Sequence, residues 1–466
     1  MKPDEILDYV QRALEFLIEK ARPHDGLFPS IIDFQSGEMP SDLPDSVFGQ
    51  RDCDRSHPGS NLIHDEPLLQ TLYALAESQK RPDYTEAADR CIERFATHCT
   101  DTVTGLFPWG EHSFWHLLED RVGNAYRNNR PEHDRPTHDH LRQVPEWLWS
   151  KLNELNPECV QSFAAGLDYH WCDPDLPKAN RHAPIMDTRR MDPGSGPRGG
   201  SRFPRHGGHY IFDWACAYLF EPNPEHLRQI RKMSDHWWES RTARGLMPLW
   251  RGGERQEEIS PVQTLAHAAS LLEVSELLEE NEDELTDMLR ERAISYVDSF
   301  LQAPHNLDYG VFVGNCRPAQ GEIEFPPRRG RIVPHVLWGS SYGGKYGACG
   351  AAARPALACL CMYRLLGDKR LLSWVVAVAK WYGREPFPEG REVIAADPGL
   401  AIGLFADLYD IEGDDRWLEA GLELADEICE IYFDEGLPRG ADGIEWYESQ
   451  MGPSFLLQGL ARLALL

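Results

Sequence analysis

Positive charge is what this chain has least of: 47 Lys and Arg stand against 75 Asp and Glu, for a formal net charge of −28. A general nucleic-acid or anionic-membrane surface needs broad positive potential, so neither partner is expected, and any anionic ligand must be held by a local basic site. Long apolar runs are missing as well, and no segment approaches the length of a membrane span. There is no CxxC pair. The 11 cysteines are an odd number and fall mostly in apolar helical stretches such as CGAAARPALACLCMY, where Cys behaves as a small buried hydrophobe. The opening MKPDEILDYVQRALEFLIEKARP lacks the basic start, apolar run and small-residue cleavage site of an export signal. Reduced thiols and the missing signal together predict a cytoplasmic location. Pro and Gly punctuate the chain evenly with no linker-like tract, which predicts one domain over residues 1–466.

One short phrase recurs: GLFPS from Gly26, GLFPWG from Gly105, GLMPLW from Gly245, GVFVG from Gly310 and GLPRG from Gly436. Between its copies lie pairs of amphipathic helical stretches, near 65–99, 140–172, 208–241, 260–302, 348–383 and 397–433. Two helical stretches remain, 3–21 and 450–466, and pairing them makes a seventh hairpin that closes a ring. In each pair the first stretch is apolar and rich in small residues, as an inner layer packed on both sides requires. The second carries one charged face, as an outer layer does. The expectation is an all-α fold, an (α/α)7 toroid. Its long connections, 100–139, 173–207, 242–259, 303–347 and 434–449, crowd one rim, where function is expected.

Those connections hold the candidate chemistry. His112 and His116, four residues apart in GEHSFWH, share a face if the segment is helical. His138, Asp139 and His140 fall where the third inner helix is expected to start, and there Asp139 also suits an N-cap. The loop PKANRHAP sets Arg181 beside His182. One His from each of two loops plus a carboxylate makes a mixed N/O site with open positions, suited to a transition metal such as Mn(II) acting as a Lewis acid. Arg181, Arg189, Arg190, Arg198, Arg202 and Arg205 cluster in an otherwise acidic protein, and Arg251 and Arg317 lie in later connections. Arginine reads carboxylates bidentately, so a polyanionic substrate follows. A further run, Arg328, Arg329 and Arg331, reads better as an exposed turn. Trp109, Trp115, Trp250 and Tyr447 are either stacking platforms for sugar rings or core.

These motifs resemble polysaccharide lyase family 2, the metal-dependent pectate lyases with an (α/α)7 barrel. The resemblance runs from about 105 to 255 through GLFPWGEHSFWHL, PEWLWSKLNELNP, NRH, RFPRHGGHYIFDWACAYLF and GLMPLWR. It implies a metal on His112, Asp139 and His182, with His140 as a further candidate ligand. It also implies Arg181 as catalytic base and Arg251, or less well Arg255, as a second substrate arginine. The chain departs from the family in having Asp139 where the family has Glu, one methylene shorter and flanked by two His. The implied reaction is β-elimination of a uronate such as galacturonate in an anionic oligosaccharide. There Arg181 is either the base or a carboxylate clamp, in which case a neutral His takes the proton. Two other classes stay open. One is another toroid enzyme: an unsaturated uronyl hydrolase drawing on Asp65, Glu66 or Glu111, or a sugar 2-epimerase using two His without metal. The other is a non-catalytic module that binds acidic glycans.

Overall fold

In the computed structural model, all residues are described except 48, 130, 132–134, 174–177, 191–202, 250–258, 281, 311, 314–316, 320–321, 325–351, 389 and 435. The described chain forms helices α1 (Pro3–Ala21), α2 (Leu62–Gln79), α3 (Pro82–Arg94), α4 (Ala125–Asn129), α5 (Glu146–Leu155), α6 (Pro157–Gly166), α7 (Pro204–Phe220) and α8 (Pro224–Glu239). It continues with α9 (Pro261–Leu278), α10 (Asp283–Leu301), α11 (Ala353–Leu366), α12 (Lys369–Tyr382), α13 (Ala396–Glu412), α14 (Asp415–Tyr432) and α15 (Pro453–Ala464). Proline opens many of them, where its missing N–H costs nothing and its fixed φ suits the first turn.

The helices pair as α2/α3, α5/α6, α7/α8, α9/α10, α11/α12 and α13/α14, and α1 packs on α15 as the seventh pair. The first members of the first six pairs, together with α15, form the inner layer. In turn α15 packs on α13, α13 on α11, α11 on α9, α9 on α7 and α7 on α5, while α15 also packs on α2. The circle closes between α5 and α2, where Trp147 Nε1 donates to Glu66 at 3.0 Å and its ring meets Tyr73 edge-on. Inner helices such as α9 and α13 are buried nearly all round, whereas α3, α8 and α14 bury one stripe. That contrast is the expected (α/α)7 toroid. The α13–α15 contact is tight because both sides are glycine: a Cβ at Gly459 would stand 2.3 Å from the carbonyl oxygen of Gly399.

The repeated phrase has a structural cause. Gly26, Gly105, Gly245, Gly310 and Gly436 all take left-handed φ, between 60° and 103°, where an L side chain is strained. Each turns the chain inward and is followed by buried apolar residues, Leu27 and Phe28, Leu106 and Phe107, Leu246 and Met247, Phe312, and Leu437.

The rim connections are more ordered than expected. Short antiparallel strands cross them: 59–60 with 113–116, 113–116 with 121–124, 138–140 with 182–184, and 31–33 with 446–448. The last pair is locked by a buried ion pair, Arg55 to Glu448, at 2.7 Å.

Candidate metal centre

Residues 138–140 do not start a helix. They form a strand paired with 182–184 in the register His138↔Pro184, Asp139↔Ala183 and His140↔His182, and the next helix, α5, begins only at Glu146. Alternation along a strand sends His138 and His140 to one face and Asp139 to the other. This corrects two readings of Asp139. It caps no helix, and its carboxylate is already taken: Oδ1 accepts from the backbone N–H groups of Glu111 (2.8 Å), His112 (3.3 Å) and His140 (2.6 Å). Oδ2 accepts from Gly110 (2.8 Å), from the Ser113 amide (3.1 Å) and from the Ser113 hydroxyl. Asp139 thus anchors the loop that carries His112, and Gly110 is obligatory there because a Cβ would lie 2.0 Å from Oδ1.

The face with the imidazoles is where ligands converge. His112, His140 and His182 each offer a ring nitrogen, and these atoms all lie within 4.8 Å of one another. Nε2 of His140 faces Nε2 of His182. Carboxylates stand on the Nδ1 side of two of the rings: Glu111 Oε2 lies 3.1 Å from His140 Nδ1, and His112 Nδ1 bonds the Cys53 carbonyl at 3.1 Å with Asp54 at 3.2 Å. His138 stands at the edge, its ring 5.0 Å from that of His182, with Nδ1 on the Pro136 carbonyl and no partner at Nε2. His116 is elsewhere. It lies in the strand opposite Gly59 and accepts from the Glu119 amide, so the proposed helical His112/His116 pair does not form.

Electrostatics suit the same role. Burial, neighbouring imidazoles and Arg181 hold His140 and His182 well below the usual imidazole range, and burial takes His138 down to about 4. These rings are neutral near pH 7, as ligands must be. Burial opposes charge on His112 too, but Asp54, Glu111 and Asp139 outweigh it and raise that ring. Three converging imidazoles form a donor set that could hold a divalent transition metal.

Arginines flank the cluster. The guanidiniums of Arg181 and Arg205 lie 5.4 and 5.0 Å from the centroid of one ring, that of Phe203. Phe203 itself is held at φ +63°, a strained conformation for a non-glycine residue of the kind that gathers at functional sites. Sequence reasoning overlooked Arg142, which donates to Glu111 at 2.6 Å, and Arg51, which grips Asp54 through two bonds of 2.6 Å. Arg142 carries no local signal, because Glu111 lies 31 residues away, whereas Arg51 stands three residues before Asp54.

Other assignments fail or fall outside view. Trp109 is 2% exposed and packs among Phe95, Phe107, Trp149 and Phe163, so it is core and no sugar platform. Tyr447 is fully buried in the strand beside 31–33 and is likewise removed from substrate. Trp115 is also buried. Arg189 is exposed, and its backbone N–H bonds Asp187. Arg198, Arg202, Trp250, Arg251, Arg255, Arg328, Arg329, Arg331 and the side chain of Arg317 lie outside the described residues.

Among solved structures, a cellobiose 2-epimerase from Bacillus thermoamylovorans shares 9% identity over 99% of both chains with a TM-score of 0.44. An inactive variant of an α-1,6-mannanase from a Salegentibacter species, in complex with mannotriose, shares 10% identity over 98% of this chain and 99% of that one, with a TM-score of 0.46. An unsaturated glucuronyl hydrolase specific for heparin shares 11% over 86% and 98%, with a TM-score of 0.44. No curated protein matches the chain. The model of a family described as periplasmic pectate lyase matches residues 44–192, the segment that contains His112, His140, Arg181 and His182.

Proposed function

We propose that this protein is a metal-dependent lyase that cleaves uronate-containing oligosaccharides, such as oligogalacturonate, by β-elimination. The reading rests on one observation above all: His112, His140 and His182 converge beside Arg181 inside the segment that matches the pectate lyase model. A divalent metal such as Mn(II), held by these three imidazoles, would supply Lewis acidity toward the uronate carboxylate and the negative charge that develops next to it.

The chain's own groups do the rest. Arg205 and Arg181, both near the Phe203 ring, orient an anionic substrate and neutralise its carboxylate, which acidifies the adjacent C5–H. Arg181 takes the C5 proton, the electron pair forms the C4–C5 double bond, and the C4–O bond breaks with its electron pair on the leaving sugar's oxygen, which takes a proton from water. A guanidinium normally stays protonated, so this role requires that Arg205 and a bound divalent cation disfavour its charge. If Arg181 only clamps, His138 is the alternative acceptor, being neutral with an open Nε2.

One observation favours a hydrolase instead. Burial raises Glu66 to about 7, which would let it act as a general acid, although Trp147 already donates to it. Ultraviolet monitoring of the purified protein with oligouronates, with Mn(II) and with chelator, separates the two. The lyase generates an absorbing double bond that chelation abolishes, while a hydrolase acting on unsaturated uronides consumes one.

A further inference from the structure

Glu111 stands between an imidazole and a guanidinium: Oε2, buried and accepting no hydrogen bond, lies 3.1 Å from His140 Nδ1, and Oε1 accepts from Arg142 Nη2 at 2.6 Å. Asp54 lies in a similar place on the other side: Oδ1 is 3.2 Å from His112 Nδ1, which also bonds the Cys53 carbonyl at 3.1 Å, and both its oxygens are gripped by Arg51. Glu111, Asp54, His112 and His140 are all buried, so the carboxylate–imidazole contacts are shielded from solvent, whereas the Arg142 and Arg51 side chains are partly exposed. We propose that Arg142–Glu111–His140 and Arg51–Asp54–His112 are two parallel positioning relays, in which an arginine fixes a carboxylate and the carboxylate fixes an imidazole for metal ligation.

The physical case has three parts. An Nδ1–H bonded to a carboxylate fixes the tautomer that leaves Nε2 bare for a metal, and it raises the basicity of the ring. A carboxylate can do this only if its own rotamer is fixed, and a charge-assisted bond from arginine does so. Each relay also cancels its own charge, Arg against Glu or Asp. The ligands are neutral rings once they hold a metal, so a divalent cation there would keep its attraction for an anionic substrate. Arg142 thereby gains a role that the search for substrate arginines did not give it. His182 has no such relay on its Nδ1 side among the described contacts, and its backbone N–H instead bonds the Asn180 side chain.

This inference rests on the metal site of the proposed function, and its test reads metal affinity rather than turnover. Mn(II) is titrated calorimetrically into the wild-type protein and into Glu111→Gln, Arg142→Gln and the double variant. Circular dichroism confirms folding, and Arg142→Lys is kept in reserve because it is the mildest change. Glu111→Gln should weaken Mn(II) binding by about 10- to 100-fold. Arg142→Gln should weaken it less, and the double variant should bind no more weakly than Glu111→Gln alone, because Arg142 acts only through Glu111. Arg142→Lys should retain part of the affinity lost in Arg142→Gln. Wild-type affinity in Glu111→Gln, or losses that simply add, would overturn the relays while leaving the lyase standing. Affinities that follow this pattern without any unsaturated product would overturn the lyase and leave the relays standing. A wild-type protein that takes up no Mn(II) would remove both.

Discussion

His140 and His182 stand directly opposite each other on paired antiparallel strands and turn Nε2 toward Nε2. The strand pairing brings together residues forty-two apart in sequence, so each ring depends on the other strand for its place. His182, the less buried of the two, is the one to remove. His182→Ala should lower Mn(II) affinity by at least about 100-fold while the thermal midpoint stays close to wild type, because a rim residue contributes little to the core. Unchanged metal content in that variant would dissolve the proposed ligand set.

Asp139 makes the opposite prediction. Asp139→Asn replaces a carboxylate that accepts from backbone amides of the 110–113 loop and of His140, and its new NH2 group faces donors. Urea unfolding should show a loss of about 3 kcal/mol or more, as for a buried charge-assisted network that loses its acceptor. If Asp139 were instead a metal ligand, stability without metal would barely change and only binding would fall.

The pattern of imidazole charge fixes a proton count. A metal needs neutral rings. His140 and His182 are held below the ordinary range and are already neutral at pH 6.5, whereas the raised His112 still carries a proton there. Mn(II) binding near pH 6.5 should therefore release at most one proton from the ligand rings, and affinity should fall by up to about tenfold per unit as the pH drops further. Calorimetry in two buffers of different ionisation enthalpy measures this, and release of two or three protons would contradict the assignment.

Glu66 predicts a pH-dependent stability. Its carboxyl is raised from 4.5 to about 7 by burial. Below the unfolded value both states hold the proton and nothing is lost. As pH rises through the interval the unfolded state gives up its proton first, so folding weakens, by up to about 3 kcal/mol above pH 7. Glu66→Gln should be more stable than wild type at pH 8 and equal to it at pH 4, read by urea midpoints. A variant less stable at pH 8 would show that the ionised carboxylate is needed.

The toroid was legible because it is written locally. Helix periodicity, alternation of apolar and charged second helices, and the recurring left-handed glycine all lie within a few residues of one another. The site was only half legible, and the reason is strand pairing. Local signals around HDHLRQVPEW suggest a capped helix, yet Pro145 delays α5, and the partner strand at 182–184 turns the preceding residues into a β-ladder. That reversal moves Asp139 off the ligand face and puts His140 on it. Trp109 stayed open between core and sugar platform for a related reason: its neighbours in the aromatic cluster, Phe95, Trp149 and Phe163, come from three different segments, and no local pattern records them.

The most direct test of the account is absorbance of the conjugated double bond when Arg181 variants meet oligogalacturonate and Mn(II). Wild type should form unsaturated product that chelator abolishes. Arg181→Ala should lose it, and Arg181→Lys separates the roles: retained affinity with lost turnover marks a base, while weaker binding marks a clamp. Near-wild-type formation of unsaturated product by Arg181→Ala would contradict both roles of Arg181, and absence of product from the wild type with metal present would contradict the lyase itself.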